Sequence, residues 1–312
     1  MQGRPKISAF VVAYNRAPIL GTCLRALHFA DELIVVDKSS TDDTVAVATR
    51  LATSVVTVPW TPTVEETRVH ALSLCAHDWI LFLDDDECLN PVATTFIQEQ
   101  VRRPRADIYA FPLRHYIIGL HDEAAYYWPE HHVRLFRRGS VRFTGTVHGG
   151  IHPVSDRLMH IPVETGACIH HLSHPDVAGW IERTNRYTSR PDRAGPDQVN
   201  MGEAARDLAG FAHARIDHWM ARTKTSTADG YPEAVAVLRA IYDMVDLLKG
   251  WEQARGLDGP ALFARACARL DAEHAAYARR AWPQRVRDRW PRTLLGRIVR
   301  RLSRRVCRRR PG

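Results

Sequence analysis

Long apolar runs are what this 312-residue chain most plainly lacks. The runs it has stop at five to eight residues. A membrane-crossing helix needs ~20, so no spanning segment is expected. Paired cysteines are lacking too. Cys23, Cys75, Cys88, Cys168, Cys267 and Cys307 stand apart with no CxxC spacing, which argues against a zinc site or a disulfide framework and fits reduced thiols in the cytoplasm. The opening MQGRPKISAF has no long apolar core and no small-residue cleavage site, so secretion is not expected.

With 45% apolar and 25% charged residues, the composition suits one large domain or a domain with a helical annex. The net charge of +8 is unevenly divided. From Arg279 onward there are fourteen arginines and one acid, Asp288, a net +13; the preceding residues hold 29 basic and 34 acidic side chains, a net −5. The tail therefore calls for an anionic partner, and the body's ligand is a separate question. In WPRTLLGRIVRRLSRRVCRRR, Leu294, Ile298, Leu302 and Val306 recur every four residues, with Leu295 and Val299 beside them and Trp282 and Trp290 ahead. A basic amphipathic helix of this kind is expected to lie on an anionic membrane surface, and not on nucleic acid, which has no use for an apolar stripe. The competing use is a helix docked on the body with its arginines solvated.

The first hundred residues alternate between two periodicities. Ile7 to Tyr14, Glu32 to Asp37, Ser54 to Val58 and Asp78 to Asp84 are β-branched or aromatic-rich runs of strand length. Helix-length segments separate them: APILGTCLRALHFA beside Pro18, TDDTVAVATRLA with acids in its first turn, and VEETRVHALSLCA with apolar residues three and four apart. Repetition at this pitch predicts an α/β fold, a mostly parallel sheet covered by helices on both faces. Ligands of such sheets collect outside the carboxyl ends of the strands. Asn15, Asp37 and the run Asp84, Asp85, Asp86, Glu87 would all emerge there.

Four consecutive acids at the end of a buried strand are costly through repulsion and desolvation unless a positive charge sits among them. A divalent cation with a nucleotide's phosphates would supply it. An acidic turn capping the helix near Pro91 is the plainer account, but a cap needs only one acid.

The order VVAYNR, VVDKSSTDDT and WILFLDDDE resembles the family-2 glycosyltransferases of the GT-A fold. WPEHHVRLFRRGSVRFTGTVHGGI (Trp128 to Ile151) and CIHHLSHPDVAGWIERTNRYT (Cys168 to Thr188) are similar to stretches of the branch that builds lipopolysaccharide cores. The likeness covers about residues 5 to 190. It implies a Rossmann-like GT-A sheet and transfer of a sugar, with inversion, from a nucleoside-diphosphate sugar, first of all a UDP-sugar. The acceptor would be a glycolipid or saccharide hydroxyl of lipid-linked or lipopolysaccharide type, and the cofactor Mn2+ or Mg2+. The resemblance assigns Asp37 and Asn15 to the nucleotide base, with a turn residue as the equal alternative for Asn15. Asp84 and Asp85 fall near the ribose, and Asp86 becomes the metal ligand. His171 would complete the metal's coordination, with His148 and His170 as competitors. Arg68 and Arg134 would contact the diphosphate, because a guanidinium pairs two oxygens at once. Glu130 stands where the related sequences carry the Asp of YPD and would be the base; Glu87, Asp122 and Glu123 are the alternatives. Gly149 and Val69 depart from the family pattern, in positions bearing on acceptor and donor sugar.

Beyond residue 200 the signals turn helical. Val235, Leu238, Ile241, Tyr242, Val245 and Leu248 give Tyr231 to Gln253 one buried face, and TKTSTADGYP before it is polar and suited to covering an acceptor site. The expected organisation is a catalytic domain over 1–195, a helical extension over 196–278 and a basic tail over 279–312. The protein would be cytoplasmic and peripheral at the inner face of the cytoplasmic membrane. A metal-dependent nucleotidyltransferase and a non-catalytic basic-tail adaptor for membrane or nucleic acid are the rival readings.

Overall fold

The computed structural model of the chain describes residues 4–61, 64–143, 150–189, 207–224, 230–256, 258–289 and 301, without the side chains of 277–289. His148, Gly149, most of the polar loop before Tyr231 and, apart from Arg301, the tail from Trp290 onward lie outside the described residues. The chain forms two compact units, Met1–Gly250 and Trp251–Gly312.

In the first unit the four apolar runs become β1 (Ile7–Ala13), β2 (Glu32–Asp37), β3 (Ser54–Thr57) and β4 (Trp79–Asp84). They lie parallel in the order β3-β2-β1-β4. The returns are α1 (Ala17–Arg25), α2 (Thr44–Leu51) and α3 (Glu65–Leu74). Every residue of β1 is buried because both sheet faces are covered, and successive side chains serve opposite cores. Ala9, Val11 and Leu81 pack on one face with Leu20 and Leu24 of α1. Phe10, Val12, Ile80 and Phe82 pack on the other with Ala71 of α3.

After β4 come β5 (Glu87–Leu89), α4 (Pro91–Arg102), β6 (Ile108–Ile117) and β7 (Glu130–Arg137). A small hairpin follows, β8 (Val141–Phe143) with β9 (Ile151–Pro153), and then β10 (Leu158–His160) and β11 (Ile169–His174). The sheet continues β4-β7-β6-β11-β5, with β10 also along β6. Five of its pairings are parallel and three antiparallel, so the mostly parallel α/β architecture expected from the sequence is present. Asn90 caps α4 by accepting from the Ala93 N–H at 2.8 Å, so the acids before it are not needed as caps.

Three further helices follow: α5 (Val177–Thr188), α6 (Leu208–Met220) and α7 (Tyr231–Ala254), of which the last continues past Gly250. Trp180, Tyr231 and Val235 form a third core with Ile117, Ala125 and Tyr127, and the Tyr231 hydroxyl donates to the Leu120 carbonyl at 2.6 Å. The second unit holds α8 (Gly259–Arg289), with Phe263 76% exposed. No helix among the described residues is long and apolar enough to cross a membrane.

Candidate active site

The turn after β4 enters β5, which pairs antiparallel with β11 in the register His171↔Glu87 and His170↔Cys88. That register sets His171 beside Asp86, His171 Nε2 lying 3.3 Å from Asp86 Oδ1. Its neighbour His170 turns away to the Tyr116 hydroxyl at 2.9 Å. Among the expected metal-binding histidines that are described, His171 is therefore the one at the acids.

Each acid also has a cation of the protein's own. Asp84 pairs with Arg68 and, at 3.2 Å, with Arg134. Asp85 takes Arg16 at 3.1 Å and the Tyr14 N–H at 3.1 Å. Asp86 Oδ2 is reached by Arg16 at 3.3 Å and Arg183 at 3.4 Å. Glu87, fully buried, holds Arg134 by two bonds of 2.7 and 2.6 Å. Much of the positive charge demanded by the acidic run thus comes from guanidiniums, and two of them, Arg16 and Arg183, are not among the residues that the sequence singles out. Arg16 is legible only as the last letter of VVAYNR; Arg183 carries no signal beyond its place in a helix.

These pairings set the protonation states. Burial alone would push Asp86 up, but the His171 imidazolium, then Arg16 and Arg183, hold it well below the usual carboxylate range. Asp85 is pushed up to about 7, first by burial and then by Asp86. Burial opposes the charged form of His171, yet Asp86 raises it above the usual imidazole value. An oxygen of Asp86 and a nitrogen of His171 at this separation fit two adjacent positions around a divalent cation. Binding one there displaces the His171 proton.

Arg68, Asp84, Asp85, Asp86 and His171 line a cleft of about 240 Å³ at the strand ends, together with Tyr14, Lys38 and Trp60. Three of the expected nucleotide contacts are not on its wall. Arg134 is buried and taken up by Glu87 and Asp84. Asn15 adopts a left-handed φ of 51° and ties the turn after β1 to the next loop, its Oδ1 accepting from the Thr41 N–H at 2.8 Å. Asp37 is fully buried; its Oδ2 accepts from the Ser40 N–H at 3.1 Å, while Oδ1 has no hydrogen-bond partner among the described residues.

Glu130 sits apart from the cleft but is linked to it by side chains. His171 Nδ1 and His115 Nδ1 are 2.8 Å apart, and His115 Nε2 is 3.1 Å from Glu130 Oε2. His132 Nε2 approaches Glu130 Oε1 at 3.1 Å. Bonds from His115 and His132 hold the Glu130 carboxyl far below its usual value, against the opposing effect of burial. The ligand atoms of His115, Glu130 and His132 lie within 4.8 Å of one another, close enough to hold a cation themselves. Of the alternative bases, Glu87 is enclosed with Arg134, Glu123 pairs with Arg114 at 2.7 Å, and Asp122 accepts from the Ala124 N–H at 2.7 Å.

A larger cavity of about 670 Å³ opens beyond Glu130, with Tyr126, Trp180, Trp219 and Tyr242 among its walls. It shares His171, Arg183 and Tyr187 with the cleft. Its aromatic residues come from four separate segments, so no single stretch of sequence announces it.

A strand-end cleft at the point where β1 is flanked by β2 and β4, with a cavity adjoining it, defines an α/β protein built to bind a polar ligand at the switch of strand order. Residues 8–154, just under half of the chain, match the family described as Glycosyl transferase family 2. A Rickettsia felis protein named an uncharacterized glycosyltransferase is 33% identical over 47% of this chain and 53% of its own. The lipopolysaccharide core biosynthesis glycosyltransferase LpsC of Rhizobium meliloti is 27% identical over 47% of this chain and 57% of its own. The chain spans about half the length of the curated relatives it matches first. A crystal structure of S. aureus TarS 1–349 in complex with UDP aligns over 80% of this chain and 91% of its own, at 12% identity and a TM-score of 0.41. At that score the likeness carries no weight of its own, and the architecture rests on the strand order.

Proposed function

We propose that the chain is an inverting glycosyltransferase that moves a sugar from a nucleoside-diphosphate sugar to a saccharide hydroxyl. The observation that carries this reading is the meeting of Asp86 with His171 in a cleft rimmed by guanidiniums. A divalent cation held by these two residues would act there as a Lewis acid toward the leaving diphosphate. Arg16, Arg68 and Arg183 are close enough to the acids to pass to phosphate oxygens when a nucleotide enters.

Glu130 is the proton acceptor in this reading. His115 and His132 keep it ionised, which a base must be, at the expense of basicity; an acceptor hydroxyl that displaces His132 would restore part of that basicity. LpsC's named role in lipopolysaccharide core biosynthesis supports an acceptor of lipopolysaccharide or lipid-linked type. The net charge of +13 from Arg279 onward supports a peripheral position on an anionic membrane surface.

The test is turnover of a nucleotide-sugar panel with Mn2+ or Mg2+ and a membrane glycolipid extract. Free nucleoside diphosphate and a glycosylated product are expected. Pyrophosphate would indicate a nucleotidyltransferase, and no turnover an adaptor. Removing Trp282 to Gly312 should release the protein from anionic vesicles while donor hydrolysis persists, since each arginine near such a surface contributes about 1 kcal/mol. Sedimentation of the truncated protein with the vesicles would refute the anchor.

A further inference from the structure

The cavity beyond Glu130 carries a charge pattern that a neutral sugar does not need. Three guanidiniums, those of Arg215, Arg222 and Arg239, stand over the Trp219 ring at 5.4, 5.2 and 5.0 Å. Asp243 pairs with Arg215 at 2.6 Å, accepts from the Trp219 indole N–H at 2.7 Å and reaches Arg239 at 3.5 Å. Among the described residues no acid pairs with Arg222, whose guanidinium has Trp219 as its neighbour. Arg222 and Arg239 both line the cavity, and Arg183 stands at its inner end beside Asp86 at 3.4 Å. The carboxylate on the same wall, Glu130, is already taken by His115 and His132.

Cation–π attraction stabilises each guanidinium on an aromatic ring but leaves its charge and its outward N–H groups available. Like charges gathered around one indole repel, and an oxyanion placed between them removes that repulsion while accepting charge-assisted hydrogen bonds. The remaining walls, Tyr126, Trp180 and Tyr242, offer apolar faces of the kind that bind a ligand's body while a few polar groups orient it.

We propose that this cavity is the acceptor pocket and that it selects a saccharide bearing an oxyanion, either a phosphate monoester or a carboxylate, through Arg222 and Arg239. The proposal rests on the glycosyltransferase reading above and names its acceptor class. The sugar ring lies against the aromatic wall, its charged group faces the two arginines, and the reacting hydroxyl is turned to Glu130.

The test uses the full chain saturated with UDP and Mn2+, so that the strand-end cleft is filled, titrated with glucose, glucose 6-phosphate and glucuronate. At least one anionic probe should bind about ten-fold or more tightly than glucose. Arg222→Gln should bring that probe to the level of glucose without changing UDP affinity, and Arg222→Lys should keep part of the preference. A preference for the phosphate or for the carboxylate identifies the oxyanion. Equal behaviour of the three sugars, including no binding by any of them, overturns the proposal. So does an anion preference that survives both Arg222→Gln and Arg239→Gln. Release of free UDP from UDP-sugars is measured in parallel. Its absence counts against the glycosyltransferase reading, while the anion preference is scored without it.

Discussion

In the cleft at the end of β4 the guanidiniums are taken up by the protein's own acids, whereas in the cavity beyond Glu130 they outnumber them. Arg134 is buried against Glu87 and Asp84 and stacks over Phe82 at 4.6 Å; Arg222 is exposed, lies on Trp219 and has no acid paired with it among the described residues. The residue type is the same and its use is opposite. A buried cation has lost its water and must keep its partner, so it holds the fold of the acidic turn. An exposed one keeps its hydrogen-bonding capacity and can exchange water for a ligand.

The largest effect expected from disturbing the cleft is that of Asp86→Ala. Transfer should fall to background and Mn2+ binding, followed by calorimetry, should be lost while circular dichroism stays native. Undiminished Mn2+ binding would move the cation to the His115, Glu130 and His132 cluster. Next is Glu130→Gln on the wall of the larger cavity. The substitution keeps size and removes basicity, so kcat should drop about 100- to 10,000-fold with little change in the KM of the donor. Loss of donor affinity in step with the rate would put Glu130 in the nucleotide site instead.

One substitution made in both places separates the two uses of arginine. Arg134→Gln leaves the fully buried Glu87 without its partner and Asp84 with Arg68 alone, and urea unfolding should show a loss of about 3–5 kcal/mol. Arg222→Gln removes an exposed side chain and should change stability by no more than about 0.5 kcal/mol. Similar losses at the two positions would mean that Arg222 is also held by the fold.

The parallel half of the sheet is legible in the sequence to within a residue at most strand ends, because a strand covered on both faces must be apolar throughout and interrupted by helices. The acids at Asp84 to Glu87 are legible for the same reason, since charge at the end of such a strand needs a cause. The long helix predicted over Tyr231 to Gln253 runs Tyr231–Ala254. The partners of the acids are not legible. Arg134 reads as a phosphate contact, but β7 inserts antiparallel between β4 and β6, with Leu135 opposite Leu81, and this brings the guanidinium to Glu87. His115 and His132, in β6 and β7, carry no signal of their own; the β6–β7 and β6–β11 pairings gather them with Glu130 and His171. By itself the sequence determined the layered α/β plan and the place of the acidic turn, because both follow from local periodicity and the cost of burying charge. Only the tertiary structure decided which cation meets which acid and where arginines are left in excess, because those depend on strand register and on helices distant in sequence.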